Sequence, residues 1–373
     1  MSQSNIKKRY FAENMWYAAA WEYEVAEADN KLARTICETP LVFYQGKENN
    51  YIALDDRCCH RAAPLSIGRV EGNCIRCMYH GMLYDESGKV VEIPGQKNIS
   101  KNLKVRSYPV VSKGEMLWIW MGDPELANAD DIYDFPPLSD KENWRGFDKQ
   151  AYLHYDANWL LIVDNLADFS HVAFVHTNTL GGSEAYAYST LAENIEKEED
   201  GFSMQRWHRD SNAPPFHAKV IPNDEQDKLV DRVNVISMRL PGIFLMETKF
   251  FPAGRNHSID DSGEDIREYR NCQYMTPETR NTTHFFWNYL HNKDKHKPEV
   301  TESLKESLLE GFMEDKVIIE DQQKLLERSP DFVPRAIAAD EAFVHFRNKW
   351  TQQLSAEDEK NPLIHKENKR AIL

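Results

Sequence analysis

The alternation of apolar and polar residues changes character along the chain. Between residues 35 and 125, short apolar runs alternate with turn residues, as in "TPLVFYQGKENNYIALDD", "GKVVEIPGQ" and "GEMLWIWMGDP". Short runs punctuated by Gly and Asn about every ten residues are typical of a small antiparallel β domain. The first part of the chain is therefore predicted to be all-β.

The second part is predicted to begin after an acidic, proline-containing stretch, "DPELANADDIYDFPPLSDKENW". An apolar, helix-like segment follows, "ANWLLIVDNLADFSHVAFVH". Beyond it, segments with a period of two predict long antiparallel strands with one buried face. These segments are "FSMQRWHRD", "DRVNVISM", "GIFLMETKFF", "EYRNCQYM" and "HFFWNYLH".

A long amphipathic helix is predicted over "TESLKESLLEGFMEDKVIIEDQQKLLERS", with Thr301 as its N-cap. The whole pattern predicts an α+β protein in which helices accompany a long antiparallel sheet. We predict domains at residues 1–145 and 146–355, followed by a charged, frayed tail at 356–373.

The composition and net charge of the chain limit the kinds of partner that it can bind. The chain has 373 residues, of which 41% are hydrophobic, and a net charge of −15, which argues against a nucleic-acid partner. We expect no signal peptide and no membrane span, because no apolar run is long enough, and hence a cytoplasmic location. Four of six cysteines lie within twenty residues, which favours metal binding over disulfides.

That cysteine-rich stretch contains two mixed pairs of metal ligands. Cys58 and His60 form C-x-H, Cys77 and His80 form C-x-x-H, and sixteen residues lie between the two pairs. Two thiolates and two imidazoles fit tetrahedral zinc, or a [2Fe–2S] cluster with sulfur on one iron and histidine on the other. Mixed pairs are unusual for zinc and favour the cluster, with zinc as the alternative. The surplus Cys59 and Cys74 are predicted to be small buried residues.

A second ligand set lies in the helix-like segment, as Asp168-x-x-His171-x-x-x-x-His176. Two imidazoles and a carboxylate, leaving open positions, suit a mononuclear iron(II) that binds dioxygen. On a helix Asp168 and His171 share a face and His176 does not, so the helix must end or bulge near residues 170–173. The alternative is a pair of histidines with ordinary hydrogen bonds.

The carboxylate ligand is predicted on the long helix. Asp315 lies within the apolar stripe of that helix, whereas Glu314 and Asp321 lie outside it. A carboxylate that faces a core needs a compensating cation, and iron would serve. An ion pair with an arginine is the alternative. The stripe consists of Leu304, Leu308, Phe312, Ile319 and Leu326.

Together these motifs resemble the terminal oxygenase (alpha) subunits of Rieske non-heme iron oxygenases, in the group of toluenesulfonate methyl-monooxygenase and the vanillate and dicamba O-demethylases. "CCHRAAPL", "CMYHGMLYDESG", "LIVDNLADFSHVAFVH" and "EDKVIIEDQQ" carry the resemblance, which covers most of the chain. It implies an N-terminal Rieske [2Fe–2S] domain and a C-terminal helix-grip-like catalytic domain. It assigns the cluster to Cys58, His60, Cys77 and His80, and the mononuclear iron to His171, His176 and Asp315.

The resemblance also implies an assembly and a role for two further residues. The family forms trimers in which the cluster of one subunit lies near the iron of the next. Asp168 would bridge His80 of one subunit to His171 of its neighbour, and Asn165 would stand beside the iron. Electrons would come from NAD(P)H through a flavin and iron–sulfur reductase.

The implied reaction is hydroxylation or O- or N-demethylation of a small aromatic compound with O2. A cis-dihydroxylating dioxygenase is the alternative, and a non-catalytic Rieske electron carrier a more distant one. An arginine or histidine in the pocket would favour an aromatic carboxylate or sulfonate. Strand phase alone predicts the pocket residues Arg206, His208, Met246, Phe250, Gln273, Phe285 and Trp287.

Overall fold

The computed structural model describes residues 9–181, 187–188, 191–218, 228–293 and 298–360. Its N-terminal part is built from antiparallel strands in three small sheets, ordered β1-β11-β10, β2-β3-β4-β9 and β5-β6-β7-β8. A short helix, Glu22–Glu27, and a 3₁₀ turn, Lys47–Asn49, accompany them. The strands are β1 (Trp16–Trp21), β2 (Lys31–Ile36), β3 (Thr39–Gln45), β4 (Tyr51–Asp55), β5 (Arg69–Glu71), β6 (Cys74–Arg76), β7 (Leu83–Tyr84), β8 (Val90–Glu92), β9 (Ser107–Tyr108), β10 (Val110–Lys113) and β11 (Met116–Trp120).

The second part contains one eight-stranded antiparallel sheet, which we call the large sheet. Its order is β12-β19-β18-β17-β16-β15-β14, and β13 also pairs with β19. Each of the five segments with a period of two lies in one of its strands, so the prediction of long antiparallel strands is confirmed. The strands are β12 (Trp144–Arg145), β13 (Ala151–Tyr155), β14 (Leu191–Lys197), β15 (Gly201–Ser211), β16 (Val230–Arg239), β17 (Ile243–Pro252), β18 (Arg267–Pro277) and β19 (Thr283–Asn292).

Helices cover one face of the large sheet. They are Trp159–Ala167, Val172–Val175, Pro215–Ala218, the long helix Glu299–Arg328 and the C-terminal helix Glu341–Lys360. Short 3₁₀ turns lie at Pro124–Leu126, Ala129–Asp131, Pro136–Leu138, Phe169–His171 and Ala338–Asp340. The α+β class, with an all-β first part and a helix-covered antiparallel sheet, is confirmed.

The start of the long helix differs from the prediction. The helix begins at Glu299, with Pro298 at the N-cap position, so Thr301 lies in its first turn. The Thr301 hydroxyl lies 2.9 Å from Nε2 of His291 on the large sheet. Thr301 therefore contacts the large sheet and does not cap the helix.

The prediction of one buried face for the strands of the large sheet is wrong for β19. In β19, nine of ten residues are buried. One face packs on the helices, where Phe285 and Trp287 contact Phe312. The other face packs on the N-terminal sheet, where Tyr274 contacts Trp118. The N-terminal part thus covers a surface that would otherwise face solvent.

The C-terminal segment is folded further than predicted. Residues 356–360, which the sequence assigned to the tail, continue the C-terminal helix. Glu357 is buried there and accepts hydrogen bonds from the backbone N–H groups of Glu13 and Asn14. The rest of the predicted tail, 361–373, lies outside the described residues, and the domain limits at 145 and 355 remain predictions. No helix in the described ranges is long and apolar enough to cross a bilayer.

Candidate active site

Two loops of the N-terminal part bring the first ligand set together. Cys58 and His60 follow β4, and Cys77 and His80 lie in the turn between β6 and β7. Both cysteines are buried, at 3% and 1% exposure. Both histidines are exposed, and their ring centroids lie 4.6 Å apart. Two thiols on one side and two imidazoles on the other fit a cluster with sulfur on one iron and histidine on the other.

Backbone hydrogen bonds shape both loops. The Cys58 N–H donates to the Ala63 carbonyl at 2.8 Å, and the Cys77 N–H donates to the Met82 carbonyl at 2.9 Å. These bonds hold each thiol inward while leaving the following histidine at the surface.

Tyr84 contacts the sulfur side of this site and was missed from the sequence. Its hydroxyl lies 3.1 Å from Cys58 Sγ and 3.2 Å from Cys59 Sγ, and it accepts from the Cys59 N–H at 3.1 Å. Hydrogen bonds to cluster sulfurs tune the reduction potential. Cys59 is exposed and Cys74 half-buried, so the prediction that both are small buried residues is wrong. Cys59 lies on a surface loop, and its Sγ contacts the hydroxyl of the buried Tyr84.

The second ligand set depends on a break in the helix-like segment. The helix Trp159–Ala167 ends at Asp168, which has an extended backbone, and a 3₁₀ turn and a short helix follow. The break lies two residues before the predicted range of 170–173. Because Asp168 is outside the helix, it does not share a helical face with His171. The change in direction instead allows His171 and His176 to face the same point.

The side chains of His171, His176 and Asp315 converge. One donor atom from each lies within 4.8 Å of the others. Asp315 Oδ1 is 3.1 Å from His176 Nε2 and 3.5 Å from His171 Nε2. A single ion with ligand bonds of ~2.0–2.2 Å would need only small side-chain movements to bind all three. Two imidazoles and one carboxylate with open positions form a set that suits iron(II).

Hydrogen bonds orient both imidazoles. The carbonyl of Asp168 lies 2.5 Å from His171 Nδ1, and since a carbonyl only accepts, Nδ1 carries the proton and Nε2 is free for a metal. His176 Nδ1 lies 2.7 Å from the Glu314 carboxylate, which also accepts from the Thr179 hydroxyl at 2.6 Å. Glu314 was placed outside the apolar stripe and was not predicted to take part in the site.

Burial and charge act differently on the two histidines. Burial lowers the pKa of His171, which favours the neutral form that binds metals. Burial also lowers the pKa of His176, but the neighbouring carboxylates of Asp315 and Glu314 outweigh this effect and raise it. The site around His176 thus favours a positive charge, which a metal cation provides.

Glu314 offers a test of this orientation. We expect Glu314→Gln to lower the affinity for iron about 10- to 100-fold, because partners of this kind align and polarise a metal-binding histidine. Competition with a chelator measures this affinity. The matched control is Glu310→Gln, one turn earlier on an exposed part of the same helix. Equal loss of affinity in both variants would contradict a specific role for Glu314.

Asn165 and Asp168 lie beside the triad. Asn165 Nδ2 donates to Asp315 Oδ1 at 3.0 Å and lies 3.4 Å from His171 Nε2. The half-buried Asp168 carboxylate accepts from the N–H and the hydroxyl of Ser170, at 2.7 and 2.8 Å. Within one chain, the backbone carbonyl of Asp168, and not its carboxylate, contacts His171.

A cavity opens beside the triad, between the helices and the large sheet. The space counted together with its open mouth is about 690 Å³. His171, His176 and Asp315 line it from the helical side. Apolar side chains such as Phe169, Phe244 and Leu308 form most of the remaining wall. The cavity places the candidate metal site next to a space that fits a small apolar molecule.

Strand phase placed the seven predicted pocket residues on the cavity side of the sheet but did not give their depth along each strand. Met246 and Gln273 line the cavity. The other five predicted pocket residues belong to the same face yet lie outside its lining, because other side chains cover them. Phe285 and Trp287 pack on Phe312, Phe250 stacks on His217, and Arg206 lies beside Phe169, while His208 is buried on the same strand as Arg206.

Several polar residues of the cavity were missed. They are Arg232, Asn234, Thr248, Asn271 and Tyr289, all in strands of the large sheet. They lie on the same strand face as Met246 and Gln273. A polar residue at an inward-facing position of a strand, between buried neighbours, could therefore have indicated them from the sequence.

Comparisons with known proteins give a consistent result. Residues 15–109 match the Rieske [2Fe-2S] domain, and residues 155–357 match the vanillate O-demethylase oxygenase C-terminal domain. The chain is 36% identical over 348 residues to the toluene-4-sulfonate monooxygenase system iron-sulfur subunit of Comamonas testosteroni, covering 93% of this chain and 98% of that one.

Solved structures give the same result as the sequence comparisons. The crystal structure of dicamba monooxygenase bound to dicamba matches with a TM-score of 0.83 and 28% identity, covering 94% of this chain and 100% of that one. Dicamba monooxygenase with non-heme iron and dicamba matches with a TM-score of 0.73 and 27% identity over the same shares.

Proposed function

The chain belongs to the Rieske non-heme iron oxygenases of the vanillate O-demethylase group, and we propose that it hydroxylates, or O- or N-demethylates, a small aromatic compound. It is an oxidoreductase and the oxygenase component of a multicomponent system. Its cofactors are a Rieske [2Fe–2S] cluster and a mononuclear iron. Toluene-4-sulfonate and dicamba are named for its relatives, and both are aromatic anions.

We assign each cofactor to a set of residues whose donor chemistry fits it. The buried thiols and exposed imidazoles of the two N-terminal loops suit a cluster that is sulfur-ligated on its inner side. The triad beside the cavity suits a six-coordinate ion with open positions. The cluster would be held by Cys58, His60, Cys77 and His80, and the mononuclear iron by His171, His176 and Asp315.

We further propose a trimer in which electrons cross between subunits. His60 and His80 are exposed in the single chain, so a partner can reach them. The half-buried Asp168 would contact His80 of the partner subunit through its carboxylate. Its backbone carbonyl already orients His171. Asp168 would therefore link the cluster of one subunit to the mononuclear iron of the next. A carboxylate between two histidines fixes their orientation and tautomers.

The residues of the chain support the reaction in three ways. When bound, the cofactors supply one-electron storage and the activation of O2. Glu314 and the Asp168 carbonyl hold the two imidazoles so that both Nε2 atoms face one point. Asn165 holds the Asp315 carboxylate towards the same point. The apolar cavity wall excludes water from that point and confines the substrate beside it. An NAD(P)H-dependent flavin and iron–sulfur reductase would provide the electrons.

One observation carries the proposal more than any other: the triad lines a largely apolar cavity in a chain that also has a Rieske domain. An electron carrier would need neither the triad nor the cavity. A test is to purify the protein anaerobically, count iron and record its EPR spectrum. It should then be supplied with a generic reductase, NADH and methyl- or methoxy-substituted aromatic compounds.

We expect three irons per chain, a Rieske EPR signal, and O2 uptake coupled to an alcohol or demethylated product. Two irons per chain without O2 uptake would indicate an electron carrier. A cis-dihydrodiol product would indicate a dioxygenase. Zinc alone, or a cluster with only sulfur ligands, would contradict the whole assignment.

A further inference from the structure

The hydroxyl of Tyr84 contacts two consecutive cysteines, of which only Cys58 is assigned to the cluster. Cys58 Sγ lies 3.1 Å from the hydroxyl oxygen. Cys59 approaches the same oxygen twice, with its backbone N–H at 3.1 Å and its Sγ at 3.2 Å. Tyr84 therefore connects a residue that is not a ligand to the sulfur of one that we assign as a ligand.

The fold holds the Tyr84 hydroxyl in a fixed place. Tyr84 lies on β7, where it pairs with Ile75 of β6 and Val90 of β8, and its side chain is fully buried. A ring that is packed on all sides has little freedom to turn away from the two sulfurs. The sheet thus sets the position of the hydroxyl oxygen, and the loop after β4 brings Cys58 and Cys59 to it.

A bound cluster would fix the direction of each of these hydrogen bonds. Cysteine binds a metal as the thiolate, which has no proton, so Cys58 Sγ can only accept. The Tyr84 hydroxyl must then donate its single proton to Cys58, while its oxygen can still accept. The N–H and the thiol of Cys59 are left as donors to that oxygen. The bonds form one relay, from Cys59 through Tyr84 to Cys58.

The relay strengthens the hydrogen bond that reaches Cys58. A hydroxyl whose oxygen accepts hydrogen bonds is more strongly polarised and donates a stronger bond of its own. A reduced cluster carries one more negative charge than an oxidised one, so a hydrogen bond donated to a ligand sulfur stabilises the reduced form more. Cys59 therefore favours reduction of the cluster without binding it.

We propose that Cys59 is a positioning residue that raises the reduction potential of the Rieske cluster by directing the Tyr84 proton to Cys58. This inference rests on the proposed function, which assigns Cys58 to the cluster. Every residue except proline supplies a backbone N–H at position 59, whereas the second donor depends on the cysteine side chain. A higher potential makes the cluster easier for the reductase to reduce, and it leaves less driving force for passing the electron on.

The test is a redox titration of the purified holoenzyme with dye mediators and without substrate, followed by the absorbance of the cluster. We expect Cys59→Ala to lower the equilibrium constant for one-electron reduction about two- to threefold, because the Tyr84 oxygen loses one of its two donors. Tyr84→Phe removes the whole relay and should lower the constant about tenfold, since hydrogen bonds to charged groups are the stronger ones. A tenfold change corresponds to about 59 mV for one electron.

Three further variants show whether Cys59 acts through Tyr84. Cys59→Ser keeps a side-chain donor and should restore most of the loss seen in Cys59→Ala. The matched control is Cys74→Ala, a half-buried cysteine on β6 that does not contact the Tyr84 hydroxyl, and it should leave the constant unchanged. In the double variant, Cys59→Ala should add nothing to Tyr84→Phe, because the relay is already broken.

Each outcome decides the proposal. An unchanged constant in Cys59→Ala would overturn it, and a raised constant would show that the Cys59 thiol competes with Cys58 for the Tyr84 proton. An equal effect of Cys59→Ala with and without the Tyr84 hydroxyl would also overturn it.

The EPR spectrum of each variant checks that the cluster is intact. If Tyr84→Phe assembles no cluster, the comparison of Cys59→Ala with Cys59→Ser and Cys74→Ala decides. A normal Rieske signal whose potential ignores Cys59 would contradict this inference and leave the oxygenase function standing. Absence of a Rieske cluster from the unmodified protein would contradict both.

Discussion

Replacing Asp315 with alanine is expected to remove the mononuclear iron and to leave the [2Fe–2S] cluster in place. Asp315 is the only carboxylate of the triad, and its Oδ1 is the atom that both His171 and His176 approach. Two imidazoles alone form a poor site for iron(II), which prefers a mixed set of nitrogen and oxygen ligands. We expect iron to fall from three to two per chain and turnover to fall at least about 100-fold. Replacing even a residue that only hydrogen-bonds to a metal ligand lowers metal affinity or activity about 10- to 100-fold.

Iron analysis, the Rieske EPR signal and O2 uptake are the measurements for Asp315→Ala. Asp321→Ala is the matched control, because Asp321 lies on the same helix, is exposed and pairs only with Lys324 among the described residues. It should keep three irons and normal turnover. Full iron content in Asp315→Ala would show that the triad is not the site of the mononuclear iron.

Asp168→Asn is expected to keep both cofactors and yet lower turnover by about 100-fold, at the upper end of effects seen for partners of metal ligands. The carboxylate of Asp168 caps the following turn by accepting from Ser170. Asparagine caps a turn equally well, so the local backbone and the carbonyl that orients His171 should persist. The change therefore removes the charge that we assign to the contact with His80 of the partner subunit.

The decisive measurement for Asp168→Asn is a single turnover. The reduced cluster is mixed with substrate and O2, and its re-oxidation is followed by absorbance. We expect slow re-oxidation in the variant at unchanged iron content. Ser170→Ala removes one hydrogen bond to the same carboxylate but retains its charge, and it should re-oxidise at nearly the rate of the unmodified protein. A normal rate in Asp168→Asn would rule out the bridging role.

The candidate metal ligands could be selected from the sequence because ligand chemistry depends on residue type and on short spacing. Each cysteine–histidine pair lies within one loop: Cys58 with His60, and Cys77 with His80. Each pair therefore falls within four consecutive residues, and its spacing can be read from the sequence. Asp315 was identified by its place in an apolar stripe, which is a local property of a helix. The helix break was inferred from the step between His171 and His176, but its position at Asp168 depends on capping by that residue.

Other parts of the site arise from contacts between distant segments. Glu314 lies outside the apolar stripe, and its role appears only because the helix crosses the loop that carries His176. Met246 lines the cavity and Phe250, four residues further along the same strand, does not, because Phe250 is covered by His217.

Local periodicity was thus sufficient for the α+β class and the inward face of the large sheet, and residue type with short spacing was sufficient for the two candidate ligand sets. Those properties follow from the chemistry of neighbouring residues and from the repeat of one strand or helix. The folded chain alone determined which inward residues reach the cavity, Arg232 among them, and which partners orient the histidines. These depend on distances between segments that are far apart in the chain, and such distances are set by the packing of all side chains together.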